Sequence, residues 1–211
     1  MSRRSPFTVF DISRPLAAAE PLYPGNPRVS LRWAKTWRRD KSNHALLSSG
    51  VHNGTHVDAP FHAVPGGRTV EKLALEQCLG WARVYDCTKC KEEITEKEIA
   101  KLKLTKGEVV LFKTSNSRRI ARFNPRFVHL TEAAARMLIK AGIKAVGTDG
   151  PSIKKFRLRP DTVHPRLLRA GIPVYEGLYL PDIKPGRYFF VGAPIKITGA
   201  DASPVRAFLM K

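Results

Sequence analysis

Residues 52–62 contain three of the six histidines of the chain, His52, His56 and His62, together with Asp58. Composition alone would place about 0.3 histidines in a window of this length. Imidazole nitrogens and carboxylate oxygens are ligands that a divalent ion such as Zn²⁺ accepts, and a catalytic zinc site typically combines three protein ligands with an open position. His52, His56 and Asp58 could supply such a set, so this segment predicts a metal site.

The spacing of these four residues indicates how the backbone would present them. All four occupy even positions, so an extended backbone would project them to one side. A helix is disfavoured, because glycine, β-branched residues and Pro60 lie between them. For a single histidine, a hydrogen-bonding role in the core or in a turn would be the more common explanation. Three histidines and a carboxylate in one short segment favour a metal site over that explanation.

The same segment matches a longer pattern, His52-x-Gly54-Thr55-His56-x-Asp58-x-Pro60-x-His62. With it the chain resembles the cyclase-type metal-dependent hydrolases, and in particular the formamidases of that family, at every fixed position of their signature. The resemblance extends over most of the chain. Its other stretches are Asp11-Ile12-Ser13, Tyr23-Pro24-Gly25, Gly147-Thr148-Asp149-Gly150-Pro151-Ser152 and Glu176-Gly177-Leu178.

The resemblance implies two divalent metal ions that share one carboxylate. The ligands that it assigns are His52, His56 and Asp58 for the first ion, and Asp58, His164 and Glu176 for the second. Zn²⁺ is the expected metal, and Mn²⁺ accepts the same types of donor. Without the family, His164 and Glu176 give little signal, because a lone histidine before a proline and a lone glutamate after a strand are usually structural or solvated.

The implied reaction is metal-assisted hydrolysis of N-formylkynurenine or a related aryl formamide to formate and the free aryl amine, in tryptophan degradation. The resemblance assigns His62 as the catalytic general acid and base, a role that suits an imidazole because its ordinary pKa lies near neutrality. Two alternatives stay open. One is a hydrolase that opens a cyclic amide such as isatin, and the other is a basic binding protein that keeps the metal site for stability.

Tyr23 is the candidate substrate-binding residue. It matches an aromatic position, commonly tryptophan, that flanks the substrate ring in formamidases of the family. The sequence departs from the family here, with tyrosine at this position and with Asn26 where an acidic residue is frequent. A Pro-Gly turn that only packs an aromatic ring explains residues 23–26 equally well.

The elements that must position these residues are strands and helices in alternation. Short β-prone runs predict strands at residues 7–12, 29–37, 81–86, 108–113, 143–147, 172–175, 187–191, 195–198 and 205–210, the second of them half-buried. Helices are predicted after the capping-box pattern at Thr95 and Glu98, over residues 131–141 up to Gly142, and over residues 165–170. These patterns predict an α/β fold with one mixed sheet. The resemblance adds that the sheet is partly barrel-like, flanked by helices and of the swivelling β/β/α type.

Composition limits the remaining possibilities. The 211 residues are 43% hydrophobic and no linker divides them, which predicts a single domain over residues 1–211. Three cysteines argue against a disulfide framework, and no run of about 18 apolar residues indicates a membrane span. We therefore expect a cytoplasmic protein that acts on a small molecule, and the resemblance implies a homo-oligomer, most simply a dimer.

The net charge of +19 raises the question of an anionic partner. The basic clusters are Arg38-Arg39, Arg118-Arg119 with Arg122 and Arg126, and Lys154-Lys155 with Arg157 and Arg159. A nucleic-acid surface would need exposed aromatic residues among them. Phe123, Phe127 and Phe156 lie nearby in sequence but are expected in the core. We therefore rank a solvated surface first, steering of an anionic substrate second and nucleic-acid binding third.

Overall fold

A computed structural model describes residues 6–117 and 122–211, so Arg118 and Arg119 lie outside the described residues. Its strands are β1 (Val9–Asp11), β2 (Ser30–Lys35), β3 (His44–Ser48), β4 (His56–Asp58), β5 (Leu79–Asp86), β6 (Glu93–Ile94), β7 (Val109–Lys113), β8 (His129–Leu130), β9 (Ala145–Thr148), β10 (Val174–Glu176), β11 (Gly186–Val191), β12 (Ala202–Pro204) and β13 (Phe208–Met210). The α-helices are α1 (Trp37–Asp40), α2 (Leu75–Cys78), α3 (Glu96–Ala100), α4 (Glu132–Lys140) and α5 (His164–Arg169). Short 3₁₀ helices cover Pro60–His62, Val70–Lys72 and Ser115–Ser117.

One large mixed sheet organises the described residues, with the strand order β1-β13-β11-β5-β7-β9-β10-β4-β12. Its centre is parallel, since β5, β7, β9 and β10 run in the same direction. The strands on both sides pair in antiparallel fashion. The sheet curls into a half-barrel. The predicted α/β class with a mixed, partly barrel-like sheet is therefore confirmed.

Both faces of the sheet centre are buried. Alternate residues of β7 enter opposite clusters, with Val109 and Leu111 in one and Val110 and Phe112 in the other. The second cluster also receives the apolar sides of α3, α4 and α5. A strand that is covered on both faces needs an apolar residue at nearly every position, which explains the continuous apolar run of β7.

The predicted helix signals act as expected. The Thr95 side chain accepts a hydrogen bond from the backbone of the first turn, while Glu98 accepts one from the Thr95 N–H, which completes a capping box. At the start of α4, the Thr131 hydroxyl accepts a hydrogen bond from the N–H of Ala134. Helix α5 begins one residue earlier than predicted, at His164. This start places the imidazole of His164 in the first turn of the helix.

The prediction of a half-buried strand over residues 29–37 is wrong in two respects. Strand β2 is exposed on both faces and pairs only with β3, and Trp37 already begins α1. Leu31, Trp33 and Leu47 are each more than half exposed on this hairpin. Period-two alternation reports a strand, but it does not say whether either face meets a core.

Two further strand predictions need correction near the end of the chain. Residues 195–198 form a loop, in which the N–H of Ile195 donates to the Ser203 hydroxyl at 2.9 Å. Residues 205–210 divide into an isolated bridge at Val205 and strand β13. Both segments contain β-prone side chains. In residues 195–198, however, the Ser203 hydroxyl accepts the N–H of Ile195 in place of a neighbouring strand.

The three cysteines, Cys78, Cys87 and Cys90, carry free thiols. In the described parts of the chain, no helix has the length and apolar character needed to cross a membrane.

Candidate metal centre

Strand β4 lies between β10 and β12, and its three residues are fully buried. Val57 enters the hydrophobic core, so His56 and Asp58 project together to the opposite side, as their spacing predicts. The expectation that His52 and His62 share the same extended backbone is wrong. Gly54 turns the chain before β4 with a φ of +64°, and His62 ends the 3₁₀ helix Pro60–His62. Turns on both sides of β4 bring these two histidines back towards it.

The first group of candidate ligands consists of His52, His56 and Asp58. Nδ1 of His52 lies 3.0 Å from Oδ1 of Asp58, and Nε2 of His56 lies 3.5 Å from the same oxygen. One ligand atom from each of the three residues lies within 4.8 Å of the others. The structure therefore brings together the three residues that the spacing identifies.

The second group meets the other oxygen of Asp58. Nε2 of His164 lies 3.6 Å from Oδ2 of Asp58 and 2.9 Å from Oε1 of Glu176. Oε2 of Glu176 lies 3.5 Å from Nε2 of His56, which joins the two groups. The Asp58 carboxylate thus lies between them, with Oδ1 facing one pair of histidines and Oδ2 facing His164.

Three atoms at the centre of this arrangement have no hydrogen-bond partner among the described residues. Both carboxylate oxygens of Asp58 and Nε2 of His56 are buried, and none of them makes a hydrogen bond with the described residues. Buried polar atoms are normally satisfied, because leaving one unpaired costs about 1–3 kcal/mol. A carboxylate and imidazoles that converge with free lone pairs are suited to divalent cations. The residues present therefore fit a metal centre.

Neighbouring groups fix the orientation of the candidate ligands. Nδ1 of His56 lies 3.1 Å from the carbonyl of Gly54, and Nδ1 of His164 lies 2.7 Å from Oδ2 of Asp161. Each contact turns Nε2 of the ring towards Asp58. Glu176 is held by the N–H of Ile153, which donates to Oε1 at 2.6 Å. Such outer contacts are typical of metal-binding histidines and carboxylates.

Nearby carboxylates and burial have opposite effects on the pKa values of His52 and His164. Burial lowers the pKa of His52, but the carboxylates of Asp58 and Asp201 outweigh it and raise this pKa to about 9. In the same way, burial is outweighed at His164, where Asp161 and Glu176 raise the pKa to about 10. The metal-free protein therefore holds protons at these two imidazoles, for which a metal ion must compete.

The pKa values of the buried carboxylates Asp58 and Glu176 are lowered. Burial raises the pKa of Glu176, but the hydrogen bond from His164 and the nearby imidazoles of His164 and His56 hold this pKa well below its ordinary value. Burial and the nearby Glu176 raise the pKa of Asp58, and the surrounding histidines lower it by more. Both groups are therefore anionic at neutral pH, which is the form that binds a cation.

His62 lies at the more open side of the cluster, with 29% of its side chain exposed. One of its ring nitrogens lies within 4.8 Å of ligand atoms of Asp58 and His164. Its Nδ1 lies 3.3 Å from Oδ2 of Asp201, a carboxylate that also approaches Nε2 of His52 at 2.8 Å. His62 therefore adjoins the candidate centre and remains accessible from outside.

Two aspartates that contact the histidines of the site were not identified from the sequence. Asp161 contacts His164, and Asp201 contacts His52 and His62. Asp161 had a local signal, since it precedes His164 by three residues, and its Oδ1 accepts the N–H groups of Val163 and His164. Asp201 had no local signal. It follows a turn far from the histidine segment and approaches it only because β12 pairs with β4.

A cavity opens beside the cluster, lined among others by Arg14, Tyr23, His52, His56 and Phe123. The ring of Tyr23 makes edge contacts with Phe123 at 5.4 Å and with Phe156 at 5.5 Å. The expectation that Phe123 and Phe156 belong to the core is wrong, because both are only partly buried, whereas Phe127 is buried. The candidate substrate residue Tyr23 thus forms an aromatic wall next to two candidate ligands.

A family model described as "Putative cyclase" matches residues 10–155, and the chain belongs to this family. A kynurenine formamidase of Salinibacter ruber is 35% identical over 211 residues, which cover 95% of this chain and 96% of that protein. A structure titled as a predicted metal-dependent hydrolase from Bacillus stearothermophilus has a TM-score of 0.86 and 35% identity, and the match covers 98% of this chain and 99% of that one.

The fold is shared more widely than the sequence. Isatin hydrolase A from Labrenzia aggregata, bound to benzyl benzoate, superimposes with a TM-score of 0.86 over 97% of this chain and 93% of that one. The two sequences are only 24% identical, so this likeness shows the fold alone.

Proposed function

We propose that this protein is a metal-dependent amidohydrolase that converts N-formylkynurenine or a related aryl formamide to formate and the free aryl amine. The observation that carries the proposal is the Asp58 carboxylate, whose two buried oxygens face different histidines and accept no hydrogen bond from the described residues. The kynurenine formamidase from Salinibacter ruber, 35% identical over nearly the whole chain, supports this substrate class.

Two divalent ions, Zn²⁺ or alternatively Mn²⁺, are proposed as cofactors. His52, His56 and Asp58 would hold the first, and Asp58, His164 and Glu176 the second. Bound there, such ions would act as Lewis acids that polarise the amide carbonyl and make water more acidic. The fully buried Asp58, His56 and His164 would keep their donor atoms in place before the metals arrive.

His62 is proposed as the general acid and base. Its partial exposure and its position beside Asp58 and His164 let it reach both the metal centre and an incoming substrate. In the hydrolysis it would accept a proton from the attacking water and return it to the nitrogen of the leaving aryl amine. The C–N bond breaks in that step, and the formyl carbon leaves as formate.

Tyr23 is proposed to contact the aromatic ring of the substrate. Its ring belongs to the same aromatic wall as Phe123, and this wall borders the cavity that reaches His52 and His56. Aromatic pairs in edge or offset geometry contribute about 0.5–1.5 kcal/mol beyond simple burial. An aryl amide therefore fits this wall better than an aliphatic amide of similar size.

The proposal also covers the domain organisation, compartment, pathway and oligomeric state of the protein. Residues 1–211 act as one hydrolase domain in the cytoplasm, in tryptophan degradation, and as a homodimer without a nucleic-acid partner. The exposed apolar residues Leu31, Trp33 and Leu47 of the β2–β3 hairpin supply a surface that a second copy could cover. Light scattering on the purified protein tests this part, since a dimer has twice the mass of 23.6 kDa.

Turnover of N-formylkynurenine against isatin, measured on zinc-loaded protein of known metal content, tests the substrate. We expect formate release from N-formylkynurenine, with a kcat/KM at least tenfold above that for isatin. Faster opening of isatin would transfer the proposal to the cyclic amide. Bound metal with no turnover of either compound would indicate a metal site that serves stability alone.

A further inference from the structure

The carboxylate of Asp201 links two histidines for which different functions are proposed above. Its Oδ2 lies 2.8 Å from Nε2 of His52 and 3.3 Å from Nδ1 of His62. The two imidazole rings are 4.4 Å apart between centroids. His52 is a candidate metal ligand, and His62 is the candidate general acid and base. One oxygen atom of Asp201 therefore contacts both the candidate metal centre and the candidate acid and base.

The contact with His52 determines which nitrogen of that ring carries the proton. Nδ1 faces Oδ1 of Asp58 at 3.0 Å, on the side of the candidate ligands. A histidine binds a metal through a nitrogen with a free lone pair, while the other nitrogen usually donates its N–H to a carboxylate or carbonyl. When the ring is neutral, Asp201 accepts from Nε2, and the lone pair then lies on Nδ1, where the other ligands converge.

The contact with His62 has the complementary effect. A carboxylate is only an acceptor, so Nδ1 of His62 must donate its N–H to Asp201. In the neutral ring this leaves the lone pair on Nε2. A general base needs such a lone pair to accept a proton, and the opposite tautomer would present an N–H instead.

The backbone holds Asp201 in place independently of its side chain. The carbonyl of Asp201 accepts the N–H of Ala59 at 2.9 Å, and the next residue, Ala202, pairs with Asp58 in the sheet. The Asp201 side chain is 37% exposed and does not contribute to the core. A substitution that removes only its charge therefore leaves the strand pairing intact.

We propose that Asp201 is a positioning residue that fixes the tautomer and ring orientation of His52 and His62 together. The same carboxylate thereby sets the metal affinity of the first ligand group and keeps Nε2 of His62 as the nitrogen that faces away from Asp201 with its lone pair. This inference rests on the proposed function for the role of His62, and it extends that function to a residue outside the ligand set.

The variant Asp201→Asn tests the proposal, with Asp182→Asn as its matched control, because Asp182 is an exposed aspartate. Zinc affinity is measured by competition with a chelator, and kcat and KM are measured at saturating zinc. We expect Asp201→Asn to bind zinc about 10- to 100-fold more weakly. In the fully loaded variant we expect kcat to fall about 100-fold with little change in KM, the lower end of what general acid–base catalysis contributes. The control should match the original protein in all three quantities.

Nitrogen NMR of the imidazoles in the zinc-loaded original protein gives a second test that does not depend on a variant. The expected tautomers carry the proton on Nε2 of His52 and on Nδ1 of His62. The opposite tautomer at His62 would overturn the proposal, as would an Asp201→Asn variant with unchanged zinc affinity and kcat. If the protein binds zinc but hydrolyses no aryl formamide, the proposed function fails, while zinc affinity and tautomers still decide the role of Asp201.

Discussion

Glu176 of β10 lies directly opposite His56 of β4 in their antiparallel pairing, with Oε2 of Glu176 3.5 Å from Nε2 of His56. This register joins the two candidate ligand groups, although the residues are far apart in the sequence. Side chains alternate between the faces of a sheet, so a slip of one residue would turn Glu176 away from the cluster. The candidate metal centre is therefore a consequence of strand register as much as of the histidine-rich segment.

The first prediction concerns the charge of Glu176. Glu176→Gln keeps an oxygen that can accept from Ile153 but removes the anion that faces His164 and His56. We expect the variant to retain one equivalent of zinc per chain and to lose the second, with formamide hydrolysis largely abolished. Metal analysis after dialysis measures this directly.

Glu108→Gln is the matched control for that experiment. Glu108 is also a buried carboxylate, but its partners are Arg187 at 3.0 Å and Arg83 at 3.5 Å, on another part of the sheet. The control should lower thermal stability and leave the metal content unchanged. Two tightly bound zinc ions in Glu176→Gln would show that Glu176 is not a ligand.

The second prediction concerns the glycine that follows Glu176. Gly177 has a φ of +67°, and a Cβ atom there would clash with the carbonyl oxygen of Gly54. Gly177→Ala must therefore displace the turn between His52 and His56. We expect a loss of stability beyond the roughly 1–2 kcal/mol of a left-handed alanine, together with weaker zinc binding.

Gly199→Ala separates the backbone strain from the steric clash. Gly199 has a similar φ of +81°, but apart from its two chain neighbours no atom of the described residues lies within 4 Å of the position of its Cβ. Its substitution should cost about 1–2 kcal/mol and leave zinc binding unchanged. Denaturant unfolding of both variants measures the difference, and equal losses would contradict the predicted clash.

The third prediction concerns the pH dependence of the metal-free protein. The folded state raises the pKa of His52 to about 9 and that of His164 to about 10. In the unfolded chain both histidines have a pKa of about 6.5. Their protonated forms therefore stabilise the fold fully below that pH, and this contribution is lost as pH rises through the folded values. We expect the loss of this contribution to lower the Tm of the metal-free protein as pH rises from about 6.5 to about 10.

The variant His164→Gln isolates this effect from the titration of other groups. The fall in Tm with rising pH should be smaller in the variant, because one of the two raised pKa values is gone. Zinc should reverse the trend in the original protein, since metal and protons compete for the same nitrogens and metal affinity rises with pH. Parallel Tm profiles of the metal-free variant and original protein would refute the ion pairs at His164.

The candidate site was predictable from sequence where it is local. His52, His56 and Asp58 are close neighbours, and the residue types alone indicate a metal. His164 and Glu176 gained their significance from the family resemblance, because their proximity depends on the pairing of β10 with β4. Asp201 was missed for the same reason, since the pairing of β12 with β4 brings it to the histidines.

The fold was predictable to a similar extent. Strand β7 and helix α4 follow from apolar patterns that also match their burial. The prediction of a half-buried strand over residues 29–37 was wrong, because a pattern of alternating residues does not reveal what covers a strand. The loop at residues 195–198 was misjudged because the Ser203 hydroxyl, which cannot be anticipated from local sequence, accepts the N–H of Ile195.

We propose that a centre of two metal ions, which would share Asp58, hydrolyses an aryl formamide. The most direct measurement is the rate of N-formylkynurenine hydrolysis as zinc is added to metal-free protein. We predict no turnover without metal, and a rate that rises until two equivalents per chain are bound and then levels off. Turnover by the metal-free protein, or two bound equivalents with no hydrolysis, would contradict the account.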